Sequence, residues 1–265
     1  MSRTVSISSP DNPLVKEVRR AIERGGLTAE GCAIAESFHL LDEALRSAQV
    51  EQVLVAESAR PTVEERLKGQ GIPLAVLADK LFDSISATET SQGVAVLVKP
   101  PTWTMADVFG GPISPPASLV VVLDAIQDPG NAGAIVRAAE AFGATGVVFV
   151  RGSVSPFNPK TLRGSAGSLF RVPFVSGVLT AEIAAECVRR GVERLAAVPR
   201  GEFRSADLAQ PCALIIGSEG RGVSDELKAG ATPVAIPTCG VESLNAAMAA
   251  GILLYEASRQ RSGCR

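Results

Sequence analysis

Histidine is almost missing from this chain. His39 is the only one in 265 residues, which leaves nothing for a multi-histidine metal centre and little for imidazole acid–base chemistry. The five cysteines, Cys32, Cys187, Cys212, Cys239 and Cys264, lie far apart and include no CxxC pair. They read as reduced thiols, and neither a zinc site nor a disulfide framework is expected. No apolar run reaches the length of a membrane span, and Met1 to Pro10 lacks a charged region followed by an apolar one. No signal peptide or membrane contact is therefore expected, and the cytoplasm is the expected compartment. An excess of positive charge is missing too. The formal net charge of −2 supplies no global attraction for nucleic acid, so any polyanion site has to be a local patch. Candidate patches are Arg19, Arg20 and Arg24, then Lys160, Arg163 and Arg171, then Arg259, Arg261 and Arg265.

What is present describes a globular α/β protein, with 46% hydrophobic and 20% charged residues and enough length for two domains, each with its own core. Asp11-Asn12-Pro13 reads as a helix start, and Leu14, Val18, Ala21 and Ile22 keep helical spacing until Gly25-Gly26 stops it. Strands are expected near Cys32 to Ala35, Gln52 to Ala56, Pro73 to Leu77 and Val94 to Val98. They alternate with helices near Phe38 to Ser47, Thr62 to Lys68 and Asp79 to Asp83, which makes a small α/β domain over residues 1–99. Residues 100–117 contain Pro100, Pro101, Pro112, Pro115, Pro116 and Gly110-Gly111, a composition for extended or turning backbone. This stretch reads as a linker, with Trp103 anchoring it to a domain. Residues 118–265 form the second domain. It opens on Leu119 to Asp124, a β-branched run expected of a strand buried on both faces of a parallel sheet. Further strands are expected at Gly146 to Val150, Arg194 to Val198, Cys212 to Ile216 and Thr232 to Ile236, and helices at Ala132 to Phe142, Thr180 to Arg190 and Asn245 to Arg259.

Three of these strands end in loops that carry chemistry, in the position where open α/β sheets hold ligands. The first runs from Asp124 to Gly133 and enters a helix with Arg137 on its second turn, a natural anion seat. Its spacing is not GxGxxG, and the next strand ends on Arg151 rather than on an acid for a ribose diol, which argues against a Rossmann nucleotide site. The second is Gly217-Ser218-Glu219-Gly220-Arg221-Gly222. Its glycines permit close backbone approach to a flat ligand, and Glu219 can fix the loop by accepting amide N–H bonds. The third, Pro237 to Asn245, leads into an Ala-rich helix whose small residues suit close packing, either within the core or against a second subunit. Taken singly, Asn131, Ser243 and Asn245 can each be a helix cap.

Together, Asn131...Arg137, Gly217-Ser218-Glu219-Gly220-x-Gly222 and Ser243-Leu244-Asn245 resemble the three motifs of the SpoU (TrmH-like) branch of the SPOUT RNA ribose methyltransferases. The resemblance covers roughly Leu119 to Arg261, with Asn158-Pro159-Lys160 and Arg163-x-Ser165-x-Gly167 also similar to the family. The first hundred residues are more loosely similar to its ribosomal-protein-like α/β substrate-binding domain, through Ser86 to Val94. Where the family has Glu-Gly after the first strand, this chain has Glu36-Ser37.

The resemblance implies methyl transfer from S-adenosylmethionine to a ribose 2′-hydroxyl of structured RNA, ribosomal RNA before transfer RNA. It also implies a deep trefoil knot, no metal, and a homodimer in which the catalytic arginine faces the other subunit's cofactor. It assigns catalysis to Arg137, Asn131, Glu219, Ser243 and Asn245. Cofactor binding falls to Ile216, Gly217, Glu219, Gly220, Gly222, Ile236, Pro237, Val241, Ser243, Leu244 and Asn245. RNA contact is expected from the basic patches, at Arg19, Arg20, Lys160 and Arg163, each cluster taken alone being readable as a solvated face. A guanidinium with a pKa above about 12 is a poor base and a good phosphate clamp. Arg137 is therefore expected to hold the RNA backbone and stabilise developing alkoxide charge, with water or an RNA phosphate taking the proton. Two alternatives are a related enzyme that methylates a base and an RNA-binding or assembly protein without catalysis.

Overall fold

A computed structural model describes residues 4–110, 118–199 and 207–262. The chain forms two compact units. The first comprises residues 1–102 and, returning after an excursion, residues 155–171. Its elements are β1 (Thr4–Ile7), α1 (Pro13–Arg24), β2 (Ala33–Glu36), α2 (Phe38–Ser47), β3 (Gln49–Ala56), α3 (Arg60–Arg66), β4 (Leu74–Leu77), α4 (Asp79–Asp83) and β5 (Val94–Lys99). The strands lie in the order β1-β4-β3-β5-β2, with β5 antiparallel to both of its neighbours. Helix α1 starts where Asn12 accepts the Leu14 N–H and Pro13 takes the first turn, and it ends at Gly25 in the left-handed conformation. Val15, Val18 and Ala21 face inward to join Ile34, Leu54, Leu77 and Phe82 in one apolar cluster.

Two polar anchors organise this unit. Glu36, buried at the end of β2, accepts the Ala87 N–H and the Ser86 hydroxyl and so ties down the segment entering β5. Glu43 on α2, also buried, takes the guanidiniums of Arg171 and Arg46. Burial alone would raise its carboxyl, but the two arginines outweigh that and hold it below the usual range. Gly167 passes so close that a Cβ there would sit 2.7 Å from the Glu43 Cγ. In this way the later segment, with α7 (Pro159–Ser165) packed on β2, is locked onto the first unit.

The second unit opens with α5 (Met105–Val108), inside the stretch expected to be free of helix. The reason is a capping box: Thr104 and Asp107 satisfy each other's backbone N–H groups, and Val108 and Phe109 are buried in this unit's core. Residues 111–117, which hold most of the expected linker's prolines, lie outside the described residues. Then follow β6 (Leu119–Asp124), α6 (Pro129–Ala141), β7 (Gly146–Val150), β8 (Phe174–Val178), α8 (Thr180–Arg190), β9 (Glu193–Ala197), β10 (Cys212–Gly217), α9 (Asp225–Lys228), β11 (Thr232–Val234) and α10 (Ala246–Ser262). All pairings in the order β11-β9-β10-β6-β7-β8 are parallel. The chain moves outward from β6 through β7 to β8, crosses to β9, and returns to place β10 beside β6. That reversal is the switch point of an open parallel sheet, where the loops after β6 and β10 diverge and leave a crevice. No described helix is long and apolar enough to cross a membrane.

Candidate active site

The crevice is built by backbone before any side chain enters. Gly217 ends β10 opposite Asp124 at the end of β6. A Cβ at Gly217 would lie 2.1 Å from the Gly222 carbonyl carbon and the Val223 nitrogen, so only glycine lets the loop fold back there. The turn closes by the Gly222 N–H donating to the Ser218 carbonyl at 2.7 Å, with Gly222 at a φ of 66°. Buried Asp124 accepts the Ser224 N–H at 2.6 Å and pins the far side of the turn to β6.

Three polar side chains from three separate elements meet on this turn. Asn131 Nδ2 donates to Glu219 Oε1 at 2.6 Å. Asn245 Nδ2 donates to the same Glu219 oxygen at 2.9 Å and to Asn131 Oδ1 at 3.0 Å. The three form a closed triangle in which one carboxylate oxygen takes two amide donors. Glu219 thus accepts amide N–H bonds as expected, and the donors are side-chain amides from two other elements. Asn131 is not its helix's cap either: Asp128 caps α6 by accepting the Asn131 N–H, and Asn131 stands on the first turn. Asn245 does cap α10, its Oδ1 accepting from Ala247 and Met248, and so does two jobs at once.

Two members of the triangle, Glu219 and Asn245, line a pocket of about 480 Å³, a volume typical of sites for small molecules and cofactors. Of the residues expected around a cofactor, Ile216, Gly217, Glu219, Gly220 and Gly222 line it from β10 and its turn. Ile236, Ser243, Leu244 and Asn245 line it from the loop after β11. Pro237 and Val241 do not line it. Thr238 closes that loop by donating to the Val241 carbonyl, and the Val241 side chain is left 56% exposed. Sequence reasoning missed Ala197 to Pro199, at the carboxyl end of β9, and Lys228 on α9, all of which line the pocket. The rule that ligands gather at strand carboxyl ends, applied to β9, would have found the first three. Ala249 and Leu253 of α10 complete an apolar floor.

The remaining expected residues are elsewhere. Arg137 is exposed on the third turn of α6, lines none of the cavities described, and has no hydrogen bond or ion pair among the described residues. Six residues beyond Asn131, it points about 120° around the helix from the triangle. In the first unit, Arg20 is exposed beside a groove, whereas Arg19 is half-buried and donates to the Ser84 hydroxyl. Lys160 is exposed on α7, but Arg163 is half-buried with Nη1 sealed from solvent and unpaired among the described residues. The carboxyl-terminal arginines do not form the expected patch. Arg259 pairs with Glu256, Arg261 is spent on the Leu208 and Gln210 carbonyls, and Arg265 lies outside the described residues.

The chain matches known proteins over most of its length. The model of the SpoU rRNA Methylase family matches residues 118–255 and that of the MRM3-like substrate binding domain matches residues 12–96. The chain is similar to 23S rRNA (guanosine(2553)-2′-O)-methyltransferase RlmP of Bacillus subtilis, 34% identical over 94% of this chain and 97% of that protein. It is 33% identical to an uncharacterized tRNA/rRNA methyltransferase of Synechocystis, over 98% of this chain and 96% of the other. Among solved structures it resembles an RNA 2′-O ribose methyltransferase, with a TM-score of 0.81, 28% identity, and coverage of 97% of this chain and all of the other. It also resembles the SpoU methyltransferase AviRb of Streptomyces viridochromogenes in complex with AdoMet, with a TM-score of 0.80, 25% identity, and coverage of 95% and 100%.

Proposed function

This chain belongs to the SpoU rRNA methylase family, and from that premise we propose that it modifies ribosomal RNA as a homodimer, each donor pocket working with Arg137 of the partner subunit. The reaction is S-adenosylmethionine-dependent methylation of a ribose 2′-hydroxyl in RNA. The observation that carries the residue-level reading is the Asn131–Glu219–Asn245 triangle, which sets Glu219 and Asn245 on the wall of the 480 Å³ pocket.

The residues present fit the donor. Ile216, Ile236, Leu244 and Leu253 offer apolar walls for a flat purine, while Gly217, Gly220 and Gly222 let backbone groups approach it. Ser243, Thr238 and Lys228 supply polar partners for ribose hydroxyls and a carboxylate. When bound, the donor supplies a methyl group already activated on a sulfonium, so the protein has only to align and to handle one proton. The triangle fixes the side of the pocket where the acceptor oxygen arrives, because Asn245 and Asn131 hold the Glu219 carboxylate in one orientation. Arg137 holds an RNA phosphate and stabilises the oxygen as it develops negative charge, while water or that phosphate takes the proton.

Arg137 does not line the pocket of its own chain, which supports its use across a subunit boundary. Helix α10, which packs on α6, exposes Met248, Ile252 and Tyr255, at 57%, 41% and 57%, at helical spacing. An apolar stripe of that kind is suited to burial against a second copy. The trefoil knot of such enzymes, formed by the loops after β10 and β11, is part of the same reading. Ribosomal RNA is preferred because a nearly full-length relative is named for it, and its cytoplasmic location follows from that substrate. The test is transfer of labelled methyl to undermodified ribosomal and transfer RNA supplied separately. Label confined to ribosomal RNA is expected, and label confined to transfer RNA overturns the substrate assignment. Light scattering on the same preparation should give a dimer, and a monomer at micromolar concentration contradicts the shared site.

A further inference from the structure

A second cavity, of about 270 Å³, adjoins the donor pocket in the same unit. The loop after β6, from Ala125 to Asp128, forms one wall, with Ala125 turned at a φ of 55°, and Asn131 forms another. The rest is the turn Ser218 to Arg221 together with Ala246, and these five residues also line the donor pocket. The two cavities therefore meet at Glu219.

Reaction geometry says what occupies such a neighbour. The acceptor oxygen must come within about 3–3.5 Å of the methyl carbon, so the acceptor ribose has to stand where the cavities join. The reacting oxygen is on C2′, and C1′, the adjoining carbon, carries the base. The base must lie within a few bonds of the triangle, on the side away from the donor. A volume just under the roughly 300 Å³ at which pockets for drug-sized ligands begin suits one nucleoside and nothing longer.

Most polar groups of this cavity are already engaged. Asp128 caps α6, and Asn131 is held by Glu219 and Asn245. Gln127 is exposed and its side chain has no partner among the described residues. Its amide carries both an acceptor oxygen and a two-proton donor, the complement of a nucleobase edge, and splayed RNA bases are read through such edges. Arg221 is likewise exposed without a side-chain partner among the described residues and suits an adjoining phosphate. Resting on the ribose-methyltransferase reading, we propose that this cavity receives the acceptor nucleotide and that Gln127 determines which base it accepts.

Gln127→Ala and Gln127→Glu test this. Each is assayed for S-adenosylmethionine binding by calorimetry and for labelled transfer to undermodified ribosomal RNA, with nucleoside analysis of the product. Donor Kd is expected to stay within about twofold. For Gln127→Ala, kcat/KM for RNA should fall roughly 10- to 100-fold, the range a bidentate base contact commands, and Gln127→Glu, which replaces the donor by an acceptor, should shift the distribution among the ribose-methylated nucleosides. Unchanged transfer with an unchanged distribution overturns the proposal, as does a loss matched by weaker donor binding or a lower melting temperature. Wild-type protein that binds the donor and transfers nothing would instead sink the parent reading, so the two failures are distinct.

Discussion

Asn245 should separate structure from function, because its oxygen and its nitrogen do different work. The oxygen caps α10 and the nitrogen donates to Glu219 and Asn131. Asn245→Ser keeps a capping oxygen of nearly equal quality and deletes both donors, so the cap itself should change by no more than a few tenths of a kcal/mol. Hydrogen bonds to a charged group are worth about 1.5–3 kcal/mol when well formed. At this exposed position about 1–2 kcal/mol is the better figure, equivalent to a loss of about 5- to 30-fold in kcat/KM. Asn245→Ala removes the cap as well, which costs about 1 kcal/mol and lowers Tm by about 2–4 °C. Asn245→Asp keeps the cap and sets a second carboxylate against Glu219, so it should melt no lower than Asn245→Ala and yet be the least active of the three. The assays are thermal melts and labelled methyl transfer on the same preparations. Full activity in Asn245→Ser, or activity that tracks Tm across the series, would refute the reasoning.

Four further outcomes follow from other parts of the molecule. Gly217→Ala should weaken donor binding at least tenfold by calorimetry, because its methyl meets backbone at 2.1 Å; unchanged binding would show that the turn is not what shapes the pocket. Ser37 has a φ of 139° and a ψ of 158°, a region nearly reserved for glycine and worth about 1–3 kcal/mol of strain. Its hydroxyl caps α2, yet glycine caps only a few tenths less well, so Ser37→Gly should raise Tm, and a lower Tm would refute the strain. The Glu186 carboxyl is held at about 2, chiefly by the hydrogen bond from Arg189 with Arg190 adding to it and burial opposing. A depressed pKa contributes stability above the unfolded value of about 4.3 that is lost as pH falls toward 2. Glu186→Gln should therefore flatten the acid limb of the stability curve over that window, and an unchanged limb contradicts it. Ile252→Arg in the exposed stripe of α10 should give a folded monomer with little activity, whereas a dimer of wild-type activity would place the subunit contact elsewhere.

Much of the site was legible because its signals are local. Three short motifs, each after a buried strand, placed Asn131, Glu219 and Asn245 near one another without any distance information. Their hydrogen bonds were not legible, since Asn131 and Asn245 could each satisfy a helix end alone and Glu219 could fix its own loop, and only tertiary approach decides between the roles. β6 and β10 announced themselves as β-branched or aliphatic runs. β1 escaped because as an edge strand it buries only Ile7, and β8 because Ser176 and Gly177 interrupt its apolar run. α6 begins earlier than its apolar spacing suggests, because Asp128 and Pro129 start it ahead of its first buried residue. The attachment of residues 155–171 to the first unit rests on Glu43 meeting Arg171 and Gly167 across more than a hundred positions, which no periodicity reveals.

The central claim is most directly tested by where the methyl group goes. Purified protein is given labelled S-adenosylmethionine and undermodified RNA, the product is digested to nucleosides, and the label is assigned to ribose or base, with Arg137→Ala assayed in parallel. The account predicts label on a ribose 2′-oxygen from the wild type and essentially none from Arg137→Ala at unchanged donor affinity. Label on a base, or equal transfer by the variant, would contradict it.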